Sequence, residues 1–217
     1  MEEIPRIRRE ITREVFDYQV LTDALSDYSK PRDKITKLLA SGAIIRIKKG
    51  LYCFGEGLRR QPISREQVAN LIHGPSYVSL DYALNYHGLI PERVQVVTSV
   101  TTRRSRNFET PLGSFSYRML HEAAYATGAI LEAMGETTFL IATPEKALVD
   151  KVWADRRFRG NRVSDFGVYL LDDLRIDEVA LSRLIESRLE SIARAYDSAK
   201  INRLVRYLRR LRRISDA

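Results

Sequence analysis

Between Ser29 and Lys49 the chain sets Lys30, Arg32, Lys34, Lys37, Arg46, Lys48 and Lys49 against a single acid, Asp33. Side chains of this type, fixed on folded elements, suit a regular polyanion: they supply both charge neutralisation and register, whereas lysines on a tail supply only affinity. On a helix starting at Pro31 with Ile35, Leu38 and Leu39 inward, 100° per residue sends Lys30, Asp33 and Lys37 outward. Lys34 and Thr36 then flank them, and Arg32 lies in the first turn. Ser29 and Lys30 precede the helix, whose N-terminus adds its own partial positive charge. Alternation along Ile45-Arg46-Ile47-Lys48 predicts Arg46 and Lys48 on one strand face, with Lys49 at the turn. Lys48 and Lys49 would hold phosphates, while Arg32, Lys34 and Lys37 are candidates for base edges, preferably guanine. Asp33 can accept from cytosine or pair with Lys37 four residues on. A lysine-rich face that merely meets water is the plain alternative.

The elements that must position these groups are readable in outline. Pro5 fits the first turn of a helix carrying Ile7, Ile11 and Val15 on one stripe. Asp17 is placed to cap a helix over residues 18–27, with Val20, Leu21, Ala24 and Leu25 inward. Gly42 stands where a left-handed residue ends the helix from Pro31. AIIRI, KKG and LYCF then read as a β-hairpin. Residues 55–62 read as a linker, and Ser64 with Gln67 as a capping box before a helix. A further helix covers SLDYALNYHG. RVQVVTSV, GSFSYRML and TTFLIA read as strands, the first two joined by the basic segment TTRRSRNFETPL. Thr143-Pro144-Glu145 opens a helix, and the chain from Asp165 onward reads as mostly helical.

Charge is segregated. Net charge is +8. Residues 28–60 carry nine basic and two acidic side chains, and residues 200–213 carry seven basic and none acidic. Such blocks are the electrostatic footprint of polyanion binding. In the second block Ile201, Leu204, Val205, Leu208 and Leu211 form an apolar stripe beside Arg203, Arg206, Arg209, Arg210, Arg212 and Arg213. This helix can pack with its arginines in water, add phosphate contacts or grip an acidic partner, or lie on an anionic membrane. Arg206, Arg209, Arg210 and Arg213, with Arg103, Arg104 and Arg106 in the basic connection, are therefore secondary candidates for nucleic-acid or partner contacts.

Other chemistry finds little purchase. His73, His87 and His121 have no metal-ligand spacing, there is no phosphate-cradling glycine loop, and no cofactor or metal is expected. Glu145-Lys146 and Asp150-Lys151 faintly resemble the acid–lysine pairs of metal nucleases, but their spacing also suits packing and salt bridges on one helix. The lone Cys53 excludes an internal disulfide, reads as packing, and fits a reducing compartment. No apolar run approaches the ~20 residues of a membrane span. The expectation is a soluble, cytoplasmic, non-catalytic protein.

The segments YSKPRDKITKLLASGAIIRIKKGLYCF, GPSYVSLDYALNYHGLIPE, VTSVTTRRSRNFETPLGSFSYRML and ATPEKALVDKVW together resemble the AbiEi-type antitoxins of prokaryotic type IV toxin–antitoxin systems, over roughly residues 18–158. The resemblance implies a winged helix-turn-helix domain that binds repeats in its own promoter and represses the operon. It implies a second domain that counteracts a co-encoded nucleotidyltransferase-like toxin, with direct contact between the two left open. The three-helix-plus-hairpin order independently predicts the same winged unit. The fold expected is α+β: a winged helix-turn-helix over residues 1–57, then a mixed α/β domain over 58–217 with a helical C-terminus. A monomer or weak dimer would suit paired half-sites in double-stranded DNA. The rival functions are a ligand-sensing winged-helix transcription factor without a toxin partner and a metal-dependent nuclease.

Overall fold

The computed structural model describes residues 3–215, with side chains from Ile4 to Arg213. It is a mixed α and β fold. The first part runs α1 (Glu3–Glu10), β1 (Val15–Asp17), α2 (Tyr18–Asp23), α3 (Pro31–Ala40), β2 (Ile44–Lys48) and β3 (Leu51–Phe54). The three strands form an antiparallel sheet in the order β1-β3-β2. Then follow α4 (Arg65–Ile72), β4 (Ser76–Val78), α5 (Leu80–Tyr86), β5 (Val97–Thr101), β6 (Arg106–Thr110), β7 (Gly113–Met119), α6 (Glu122–Tyr125), β8 (Ala129–Met134), β9 (Thr137–Ala142) and α7 (Pro144–Ala154). These strands form a second sheet in the order β6-β7-β5-β4-β9-β8, in which β5/β7 and β4/β9 are parallel and the other pairs antiparallel. The chain ends in α8 (Asp165–Gly167), a π-helical turn over Val168–Asp173, α9 (Glu178–Ser182), α10 (Glu186–Tyr196) and α11 (Ala199–Ser215).

The local causes are those that side-chain chemistry dictates. The Asp17 carboxylate accepts from the Val20 N–H at 2.9 Å and starts α2. Pro31 fills the first turn of α3, where a missing N–H costs nothing. Ile35 and Leu38 are buried beneath it, each burial contributing about 1.5–3 kcal/mol. Gly42 and Gly50 adopt φ of +72° and +85° at the end of α3 and in the hairpin turn, conformations other residues resist. Thr143 caps α7 through Lys146 N at 3.2 Å.

Several boundaries depart from expectation. The first helix stops at Glu10, and Val15 belongs to β1, opposite Cys53. α2 ends at Asp23, and Val20 points out, 41% exposed. Residues 55–62 are tied down rather than loose. Arg59 Nε donates to Phe54 O at 2.9 Å, and the Arg60 N–H donates to the Glu14 carboxylate at 3.1 Å. Arg60 also reaches Arg8 O at 3.0 Å. The strand expected from Arg93 begins only at Val97, and the basic connection contains a strand of its own, β6.

Both faces of the three-stranded sheet are covered. One carries Phe16, Ile44, Tyr52 and Phe54 and packs with Ile7, Leu21, Ile35 and Leu38 from α1, α2 and α3 and with Leu25 in the turn after α2. The other carries Val15, Leu51 and Cys53 and, with Ile47, joins the large core that includes Val68, Ile72, Tyr117 and Leu148. The apolar interior is thus two clusters, one formed within the first part of the chain and one that takes residues from both sides of position 57.

Candidate nucleic-acid interface

At the start of α3, Ser29, Lys30 and Arg32 are exposed, as is Lys37 in its last turn. Lys34 is half-buried, its Nζ 5.4 Å from the centre of the Tyr28 ring. No ion pair joins Asp33 to Lys37 among the described residues; both side chains are exposed. A groove of about 460 Å³ opens between α2 and α3, lined by Tyr18, Thr22, Lys30, Pro31, Arg32 and Asp33.

The hairpin corrects one expectation. Arg46 lies opposite Tyr52, but Lys48 lies opposite Leu51, so Ile47 is an extra residue, a β-bulge. A bulge breaks period-two alternation. Tyr52 belongs to the face under the helices and Leu51 to the face on the large core. Arg46 and Lys48 therefore do not share a face. Lys48 turns toward the body of the molecule, where its Nζ donates to the carbonyl of Ile72, the last residue of α4.

That turn gives Lys48 new neighbours. Lys48 and Lys49 line a cleft of about 600 Å³ with His73, Arg103, Arg106 and Phe108. The Lys48 ammonium is held below its ordinary pKa of 10.5, first by burial and then by the positive charges of Arg106 and Arg103. Cations held this close repel one another, and an anion in the cleft would relieve that repulsion. The cleft wall is ordered. His73 Nε2 meets Arg104 O at 3.1 Å, and its ring lies 5.7 Å from Phe108 and 5.1 Å from Tyr117. Arg106 sits 5.0 Å over the Phe108 ring. The connection from β5 to β6 is pinned where Arg103 N donates to Thr101 Oγ1 at 3.2 Å and Met119 N donates to Ser105 Oγ at 2.9 Å.

Groove and cleft are linked by backbone. The Tyr18 N–H, at the start of α2, donates to Gly50 O in the hairpin turn at 3.0 Å. Tyr18 lines the groove, and Lys49, next to Gly50, lines the cleft. This bond ties the element that bears the groove to the turn that bears Lys49. Sequence reasoning ranked Arg103, Arg104 and Arg106 as secondary; Arg103 and Arg106 join the cleft, while Arg104 is exposed beside it. His73 and Phe108 were missed, and no spacing in the sequence points to them.

The arginine-rich helix lies elsewhere. α11 packs on α7, α8, α9 and α10. Arg209 pairs with Glu186 at 2.6 Å and with Glu190, and Arg212 donates to Ser182 O at 3.0 Å and to Leu184 O. Arg206, Arg210 and Arg213 are exposed. Among the described residues these arginines are not brought to the groove or the cleft.

The acid–lysine pairs of α7 form a buried network. Lys146 is fully buried and Asp150 is 1% exposed. Lys146 Nζ donates to Asp150 and to Ala124 O, both at 2.9 Å, and to Tyr196. Asp150 also accepts from Ser79 at 2.6 Å, Tyr77 at 3.3 Å and Tyr196. Burial, against the pull of Asp150, lowers the Lys146 pKa. Glu145 is buried too and accepts from Ile185 N at 2.8 Å, and Lys151 pairs with Asp81 at 2.7 Å. No group of three or more His, Cys, Asp or Glu able to hold a metal ion occurs among the described residues. None of their helices is long and apolar enough to cross a membrane.

Compared with known proteins, the chain matches no family model and no curated sequence.

Proposed function

We propose that the chain binds double-stranded DNA as a transcriptional autorepressor, and that it is the antitoxin its resemblance to the AbiEi-type family implies. The reading of residues 1–57 as a winged helix-turn-helix rests on the order α1-β1-α2-α3-β2-β3, with α3 in the role of recognition helix and the Lys49-Gly50 turn as wing. The observation that supports the proposal is the pair of basic sites next to the hairpin turn, the α3 groove with Lys30 and Arg32 and the cleft with Lys48, Lys49, Arg103 and Arg106. Each cation that meets a phosphate adds affinity and salt dependence. The antitoxin half of the proposal rests on the resemblance alone, as does the co-encoded nucleotidyltransferase-like toxin as functional partner.

Electrophoretic shift with the DNA upstream of the chain's own reading frame tests the first half. Salt-sensitive binding that prefers this DNA, at inverted repeats, over random duplex is expected. Lys37→Ala should reduce the preference by about 1–3 kcal/mol at one base step. Equal affinity for all duplexes, or none, would remove the repressor reading. Growth rescue on co-expression with the neighbouring gene's product tests the second half.

A further inference from the structure

Sheet edges invite pairing with other chains, and natural proteins blunt them with charge, bulges or short length. Among the described residues, three of the four sheet edges are blunted. β1 is three residues long, β2 is bulged and carries Arg46 and Lys48, and β6 carries Arg106 and Glu109. The fourth is not. β8, Ala129–Met134, reads AILEAM and pairs with β9 through six residues without a register shift. It has no proline and no cation, and no Lys or Arg occurs anywhere in residues 119–145. Leu131 is 67% exposed, and Ile130, Met134 and the neighbouring Leu140 are exposed as well.

We infer that β8 is a dimerisation edge, pairing antiparallel with β8 of a second copy to make one continuous twelve-stranded sheet. The sequence of the strand argues for a second copy as occupant. A two-fold axis through an antiparallel pair places one residue opposite itself. Centring on Leu131 pairs residues 129–133 and sets Leu131 against Leu131, Ala129 against Ala133 and Ile130 against Glu132. Centring on Glu132 pairs as many residues, 130–134, but opposes two carboxylates, so it is disfavoured. In the Leu131 register one face of the junction is Ala, Leu, Ala from each copy, continued by Leu140, which shares the face of Leu131. The inference is independent of the nucleic-acid reading.

The chain supplies a clean test, because Cys53, its one cysteine, is fully buried. Leu131→Cys adds a single accessible thiol, and self-opposed residues on antiparallel strands have Cα atoms about 4.5–5.5 Å apart, within disulfide reach. Mild oxidation of Leu131→Cys is expected to give a linked species of twice the 25.0 kDa chain mass, whereas Glu132→Cys, displaced from its copy by two residues, links poorly. Sedimentation of the unmodified protein should show a concentration-dependent dimer that Leu131→Lys dissolves while circular dichroism stays unchanged. Added salt should leave this dimer intact or tighten it, since each copy brings Glu132 and Glu136; the same salt weakens phosphate binding. A monomer at every concentration with no linkage at 131 would overturn the inference and leave the edge to a strand from another protein. A dimer that survives Leu131→Lys would overturn it equally.

Discussion

Arg103→Ala combined with Arg106→Ala removes two exposed cations from the cleft and disturbs little else, since neither side chain is buried. If the two basic sites together engage about six phosphates, log affinity should fall against log salt with a slope of about −5.4, each phosphate contributing about −0.9. Raising salt from about 50 to about 200 mM then costs the parent roughly three orders of magnitude in affinity. Two lost contacts bring the slope to about −3.6, and the same step costs about two orders. Fluorescence anisotropy with a labelled upstream duplex, titrated at four or five salt concentrations, separates these slopes. Arg209→Ala is the control: it also removes a cation, but one paired with Glu186 and Glu190. The double variant should lose slope while the control keeps it. If the double variant and the control give the parent slope, the cleft does not lie on the binding path. If both lower it equally, binding follows total charge and not the geometry of the hairpin.

Two further expectations concern titration and stability. Because the folded Lys48 pKa lies below the 10.5 of the unfolded chain, the unfolded state holds more protons between those two values. Stability contributed by this group therefore rises as pH climbs through that window and levels off above 10.5. Lys146 and Lys200 act with the same sign, so the comparison of interest is the parent with the Arg103→Ala, Arg106→Ala variant. Urea midpoints measured across the window should rise less steeply in the variant, and calorimetry near the lower end should show net proton uptake when the parent binds DNA. In the core, Lys146→Met leaves the buried Asp150 carboxylate without its cation and should destabilise by about 3–5 kcal/mol, whereas Lys146→Met with Asp150→Leu should recover a large part of the loss. Thermal melts of the two singles and the double settle this, and additive losses would contradict a coupled pair.

How far the sequence could be read depended on element length and on what each element faces. α3 and α7 announced themselves because a proline at the first turn and an apolar face coincide over ten or more residues. β1 and β4, three residues each, are too short for a period to register. Val15 fell in step with Ile7 and Ile11 and so passed for helix, although its burial comes from pairing opposite Cys53. β6 was hidden inside a basic connection because its exposed positions are polar, and what makes it a strand is its partner β7. The candidate site divided along the same line. The exposed groups on α3 follow from helical projection, while the direction of Lys48 does not, since one inserted residue at Ile47 reverses it. His73 and Phe108 reach the cleft only through long-range packing.

A single helix, α4, touches both ends of this picture. Its last carbonyl, on Ile72, is gripped by Lys48, and two residues earlier the Asn70 amide clips the backbone of Leu140 on β9 through its N–H at 2.6 Å and its carbonyl at 3.2 Å. The hairpin turn and the strand beside β8 are therefore geared to one short rod. A shift of β9 along its own axis must therefore either carry Ile72 and the hairpin with it or break one of two polar clasps. Two parts of the chain far apart in sequence are in this way held by opposite sides of the same helical turn.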